Sequence, residues 1–327
     1  MSDVTAKYAH RLSPYLRELL DGKPASHPLS RQFLPDEREL HSLAQESADP
    51  IGDDAHSPVK GVVHRYADRV LLKIHHACPV YCRFCFRREM VGPGGEALSE
   101  KELAAALDYI RQRPRIWEVI LTGGDPLALS ARRLKGVLEQ LSDIGHVAVI
   151  RIHTRAPIVD PHSLSAARLE AMAELCRRPA APALYVAVHA NHVEELTPPV
   201  CAALEALREK GATLLSQTVL LKGINDRAEI LEALFRKLVR HRVKPYYLHH
   251  PDLAPGTSHF RVSIDEGQHI VRELRGRVSG LCMPTYVLDI PGGHGKVPIG
   301  PGYLLEHDAG CSRVVLDSKG RRHSYPE

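Results

Sequence analysis

Cys78, Cys82 and Cys85 stand close together in the stretch His75-His76-Ala77-Cys78-Pro79-Val80-Tyr81-Cys82-Arg83-Phe84-Cys85-Phe86-Arg87-Arg88. Three thiols on one loop make a poor disulfide set, since one is always left over. They make a good ligand set for one compact metal centre. A cubane iron–sulfur cluster held by three thiolates leaves one iron open to bind and reduce a ligand. Zinc is the simpler alternative, but a structural zinc takes four ligands, commonly from two paired knuckles. The chain has no second C-x₂-C pair. Cys176 and Cys201 fall on apolar helix faces and read as core residues. Cys282 and Cys311 read as structural.

Other segments carry chemistry only in context. Gly123-Gly124-Asp125-Pro126 is, by itself, an ordinary turn. Gly292-Gly293-His294-Gly295-Lys296 lacks the spacing of a phosphate-binding P-loop, and valine follows its lysine. A lysine in a glycine-rich turn has room for a bulky partner bound covalently to its amine. Taken alone, it reads better as a solvated loop lysine. Asp252 and Asp289 each precede a Pro-Gly pair and could cap turns.

The elements that must position these residues alternate from about residue 60. Strands are expected over 69–75, 117–121, 146–152, 183–188, 213–220 and 244–248, with a helix after each. Ser99 and Glu102 form a capping box at the head of the first of these helices. Lys210-Gly211 ends the helix that Thr197-Pro198 begins. Alternating strand–helix units imply an α/β fold with a parallel sheet and helices outside. Six units fall short of the eight of a closed barrel, so a partial (βα)6 barrel is expected. In such folds ligands bind at the carboxyl ends of strands. Each expected strand ends in polar chemistry: the cysteines, Gly123–Asp125, Arg151 to Arg155, His189 to His192, Gln217, and His249 to Asp252.

Three regions follow: a helical lead-in over 1–60, the partial barrel over 61–260, and a C-terminal segment over 261–327. In the lead-in, Ser13-Pro14 starts one helix and a second is expected over Pro35–Glu46. The segment from Asp53 to Pro58 reads as loop. The tail reads as a hairpin over Ser312–Ser324 turning at Asp317–Gly320.

With 327 residues and a formal net charge of +4 spread over both signs, composition gives no support to a nucleic-acid partner. Seven cysteines, three of them clustered, suit a reducing compartment. With no apolar leader and no run of membrane-spanning length, a cytoplasmic protein is expected.

The cysteine spacing, directly after an apolar strand, resembles the radical S-adenosylmethionine superfamily. From about Gly61 to Pro298 the chain is similar to the lysine 2,3-aminomutase family of that superfamily. The likeness runs through His64–Arg69, the cysteine loop ending in Arg87-Arg88, Leu121–Pro126, Arg151–Arg155, His189–His192, Gln217–Asp226, Lys244–Tyr247, Asp252–Arg261 and Ser279–Pro298. The resemblance implies a radical SAM partial barrel and an isomerase. Its cofactors would be a [4Fe-4S] cluster on Cys78, Cys82 and Cys85, S-adenosylmethionine, and pyridoxal 5′-phosphate on Lys296. It implies that Gly123, Gly124 and Asp125 meet S-adenosylmethionine through their backbone. Arg65 and Arg69 match a segment near the cofactor phosphate, and Arg155, His189 and Gln217 line the cofactor cavity. Arg87 would pair with the substrate carboxylate, and Asp252 and Asp289 would receive its distal ammonium.

The expected reaction moves the 2-amino group of L-lysine to C3, giving β-lysine. Another amino acid, or β-lysine destined for elongation factor P, is the alternative. An electron donor of flavodoxin or ferredoxin type is implied, and a homo-oligomer is left open. Two departures stand out: Arg227 follows Asn225-Asp226 where lysine-metabolising relatives have a zinc-binding cysteine, and the tail lacks a cysteine cluster. No structural zinc is therefore expected. Two other classes remain: a radical enzyme without pyridoxal phosphate, and a non-catalytic Fe–S, metal or nucleic-acid binding module.

Overall fold

The computed structural model describes residues 2–92, 97–305 and 312–326. Cys311 lies outside them. The sheet has nine strands in chain order: β1 Val62–Tyr66, β2 Arg69–His75, β3 Glu118–Gly123, β4 Val149–Thr154, β5 Ala183–His189, β6 Thr213–Val219, β7 Lys244–His249, β8 Thr285–Ile290 and β9 Gly295–Pro298. β2 to β8 run parallel, and β1 and β9 lie antiparallel at the two edges. The curved sheet is a partial barrel. Its β2–β7 strands are those expected from the sequence. β8 adds a seventh parallel strand from within the segment read as a C-terminal extension.

Short apolar runs explain the inner strands. In β3 every residue after Glu118 is buried, as a strand covered on both faces requires. The covering helices are amphipathic. α9 (Ala228–Arg240) buries Leu231, Leu234, Phe235 and Leu238 at helical spacing. α4 (Glu100–Arg111) opens with the expected capping box, Ser99 accepting from Glu102 N and Glu102 reaching back to Ser99 N. α5 (Ala131–Ser142), α7 (Ala166–Arg177), α8 (Pro198–Glu209) and α10 (Ile264–Arg277) complete the outer layer, and a single turn, α6 (Ala156–Val159), follows β4.

The lead-in contributes α1 (Ser2–Lys7), α2 (Pro14–Leu20) and α3 (Pro28–Phe33). Ser13 caps α2 through Leu16 N at 3.0 Å. Leu16, Leu29 and Phe33 join the main hydrophobic core, so this segment is packed on the barrel. The helix expected over Pro35–Glu46 does not form. Only a 3₁₀ turn, Glu37–Leu40, is present. Leu40 and Leu43 are exposed and offer no apolar stripe, while Glu39 is fully buried. The chain here is shaped by Glu39 reaching inward. The tail forms the expected hairpin, β10 (Ser312–Leu316) against β11 (Arg322–Pro326). Cys282 is buried in the core, and Cys176 and Cys201 pack against it half-buried. No helix among the described residues is long and apolar enough to cross a membrane.

Candidate active site

The cysteine loop leaves β2 and is fixed against the end of β3. Gly124 N donates to His75 O at 2.6 Å, and Asp125 N donates to Ala77 O at 2.9 Å. A Cβ on Gly124 would lie 2.1 Å from Ala77 O, so only glycine permits this approach. The Asp125 carboxylate is filled from within the chain. It accepts from Leu127 N (3.0 Å), Thr154 Oγ1 (2.6 Å), Arg155 N (2.7 Å) and Ala156 N (2.8 Å). Asp125 thus ties the end of β3 to the turn after β4, and its backbone carbonyl, 2.9 Å from His75 Nε2, ties it to the cysteine loop as well.

Two buried carboxylates hold the loop from the other side. Glu39 binds Arg83 through both oxygens, Nε donating at 2.9 and 3.1 Å, and also takes a bond from Arg88 Nη2. Glu195 accepts from Arg155 Nη2 at 2.7 Å, and Gln32 shares that guanidinium group at 2.7 Å. Arg155 Nη1 in turn donates to Cys82 Sγ at 2.8 Å. The lead-in therefore supplies Gln32 and Glu39 to the support of the cysteine loop.

Burial pushes the Cys85 thiol up to about 11 and holds Cys78 and Cys82 above the usual thiol range. Such thiols lose their protons only to a strongly bound cation. All three line one cavity. Among the described residues no three His, Cys, Asp or Glu side chains converge on a single ion. Three thiols opening into one cavity fit a cluster that three thiolates hold.

The cavity holds about 560 Å³ and runs from the cysteines to Lys296. Every cluster, cofactor and substrate residue implied by the resemblance lines it, apart from Gly123. At the far end Lys296, on β9, pairs in register with Asp289 on β8. Lys296 Nζ forms an ion pair with Asp289 Oδ2 and lies 3.3 Å from His249 Nδ1. Its backbone N donates to Tyr66 OH at 2.7 Å. Asp252 lines the same end. Burial, and then the charge of Asp289, push its carboxyl up to about 7.

Arg87 and Arg65 meet at a residue the sequence left in a loop. Asp53 accepts from Arg87 Nη2 at 3.0 Å and from Arg65 Nη2 at 3.2 Å, with Lys73 Nζ at 3.6 Å. Burial works to raise the Asp53 carboxyl, and Arg87, Lys73 and Arg65 overcome it and hold it below the usual range. Three cations around one carboxylate leave a local excess of positive charge. Arg69 stands apart, paired with Asp68 at 2.7 Å and stacked 3.8 Å over the Tyr66 ring.

The histidines divide. His153, His189 and His249 line the cavity. Burial lowers all three, His189 to about 3. His189 Nε2 lies 3.0 Å from Asn191 Oδ1, and His153 Nε2 lies 3.3 Å from Gln217 Nε2. His250 instead bonds Tyr286, and His192 caps a 3₁₀ turn. Arg151 is occupied by Glu118 at 3.0 Å. Asp53, Glu39, Gln32 and Glu195 were not legible as site residues. Only the Asp36–Glu39 capping spacing hinted at any of them.

A parallel sheet with three cysteines after its first parallel strand defines the class. The family model of the Radical SAM superfamily matches residues 72–234, so the cluster and S-adenosylmethionine follow from the family. The Lysine-2,3-aminomutase model matches residues 271–327. The chain is 38% identical over 305 residues to an L-lysine 2,3-aminomutase of Acetoanaerobium sticklandii, covering 93% of this chain and 72% of the relative. It is 37% identical over 307 residues to the enzyme of that name from Clostridium subterminale, covering 93% and 71%. A glutamate 2,3-aminomutase of Clostridioides difficile is 34% identical over 318 residues, covering 97% and 73%. The chain belongs to the lysine 2,3-aminomutase family, and it is an isomerase.

Proposed function

We propose that the chain is a pyridoxal 5′-phosphate-dependent radical aminomutase that converts L-lysine to β-lysine. One observation carries this reading: Lys296, Asp252 and Asp289 share a single cavity with the three cysteines. Cys78, Cys82 and Cys85 would hold the cluster, and the amine of Lys296 would hold pyridoxal phosphate. When bound, these groups supply a hydrogen-abstracting radical and a carbonyl that carries the migrating nitrogen. The remaining work is done by the chain. Gly124, Asp125, Arg155, His189 and Gln217 would wall the cofactor space, with Gly123 joining Gly124 to the end of β3. Arg65 and Arg69 would stand on the side of the cofactor phosphate. Arg87 offers a planar guanidinium group to the α-carboxylate.

Asp252 and Asp289 decide the substrate. Two carboxylates in one buried pocket are mutually unfavourable until a cation joins them. A distal ammonium fits; the side chain of glutamate would be repelled. The positive charge of Arg87 and Lys73 suits the opposite, carboxylate end of the same molecule.

The test is an anaerobic reconstitution with iron, sulfide, S-adenosylmethionine, pyridoxal phosphate, a reductant and L-lysine, read by mass spectrometry. β-Lysine is expected. 5′-Deoxyadenosine without β-lysine would remove lysine as the substrate. Neither product, with the cluster intact, would remove the enzyme reading of this site.

A further inference from the structure

His249 is a histidine that the reading above gives no task, yet it touches the one amine that reading depends on. Its Nδ1 lies 3.3 Å from Lys296 Nζ and 4.0 Å from Asp289 Oδ2. We infer that His249 is a positioning residue that draws the Lys296 amine out of its ion pair with Asp289.

The argument rests on the proposed roles of Lys296 and Asp289. The Lys296 ammonium occupies the carboxylate that the substrate's distal ammonium needs. An ammonium clasped by a carboxylate also has no lone pair to offer a carbonyl. Some other acceptor must therefore hold Nζ when it is not bonded to the cofactor. Nδ1 of His249 is the neighbour placed to do so. Burial, with the nearby charge of Lys296, holds the imidazole well below its usual range. It therefore stays neutral and keeps an acceptor lone pair. As acceptor at Nδ1, the ring carries its proton on Nε2, a buried atom with no partner among the described residues. Tyr247 stands edge-on to the ring at 5.6 Å between centroids and limits its rotation. A ring fixed in this way presents one lone pair to one amine.

The test uses the full chain before cofactor loading. Pyridoxal 5′-phosphate is added, the adduct is reduced with borohydride at timed intervals, and modification of Lys296 is counted by peptide mass spectrometry. In His249→Phe, which keeps the volume and loses the acceptor, trapping at Lys296 is expected to slow roughly tenfold, the size of one lost hydrogen bond. His249→Asn, which restores an acceptor, should recover most of the rate. In an Asp289→Asn background the His249→Phe penalty should shrink to about twofold, because no ion pair remains to compete. Trapping in His249→Phe at the parent rate would overturn the inference and leave the lysine assignment standing. A penalty undiminished by Asp289→Asn would reduce His249 to packing and overturn it too. Absence of Lys296 adduct in the parent chain would overturn the lysine assignment and the inference together.

Discussion

The two ends of the cavity handle charge in opposite ways. At the cysteine end Glu39 lies between Arg83 and Arg88, and Glu195 faces Arg155, all deeply buried; Arg83 and Arg88 also donate to backbone carbonyls, and Glu195 accepts from the backbone N–H of Asn191 and His192. At the Lys296 end one ammonium faces two carboxylates, and nearby one carboxylate, Asp53, faces three cations. The first arrangement fixes a loop. The second leaves a negative and a positive imbalance side by side, matched to a ligand with a carboxylate at one end and an extra ammonium at the other. Charges already partnered within a chain hold its shape, and charges left over mark where something else belongs.

Breaking the cysteine end should have the largest effect. Glu39→Gln leaves two buried guanidinium groups without their carboxylate, a loss of about 3–5 kcal/mol. Thermal melting should fall accordingly, and the reconstituted protein should retain little iron. An unchanged melting curve would show that the two ends are not built differently.

Asp252→Asn should do the reverse to stability. A carboxyl raised to about 7 is disfavoured as a charged group in the fold, so its contribution worsens as pH rises from the unfolded value near 4 towards 7. The amide escapes that cost, and at pH 8 the variant should melt no lower than the parent. Its KM for L-lysine should rise roughly 30-fold or more, as expected when one partner of a buried charge contact is removed. A variant that melts lower while KM stays put would move Asp252 to the structural side of the comparison.

The pH profile sharpens the same point. Asp252 is ionised only above about 7. The apparent affinity for L-lysine should therefore drop by roughly tenfold per pH unit below that value. The midpoint should move down in Asp289→Asn, because the Asp289 charge helps to raise Asp252. A midpoint that ignores Asp289 would separate the two carboxylates. The smallest effect is expected at Thr122, whose hydroxyl takes a long 3.4 Å bond from Arg87 Nη1. Thr122→Val should raise KM roughly two- to fivefold with iron content unchanged.

Much of this contrast could be read from the residues. Strands β2 to β7 announce themselves by apolar runs bounded by turns, and the cysteines by their spacing. The cavity gathers Cys78, Lys296, Asp252 and Asp289 from segments far apart in the chain, a grouping implied only by resemblance to a family. Residues that stabilise the site through buried pairing left little trace. Asp53 sits in a segment that reads as loop, and Glu39 in one that reads as helix. Their partners come from other segments, and local spacing is silent about such contacts. β8 escaped notice because its short run leads straight into Pro291-Gly292-Gly293, which reads as a turn.

Gly52 and the turn before Lys296 meet so closely that a Cβ on Gly52 would fall 2.3 Å from Gly293 N, and His56 Nε2 lies 3.0 Å from Gly293 O across 237 residues of sequence. During synthesis the two ends of the cavity must therefore mature at different times. Glu39 can find Arg83 as soon as the first strands leave the ribosome. The loop carrying Asp53 can likewise meet Arg65, Lys73 and Arg87 early, but the turn that packs on its Gly52 and His56 and carries Lys296 is not made until the last tenth of the chain appears. At about 5–20 residues per second that wait is roughly 10–50 s. A nascent chain halted before residue 290 would then carry an assembled cysteine loop beside an unfinished lysine pocket.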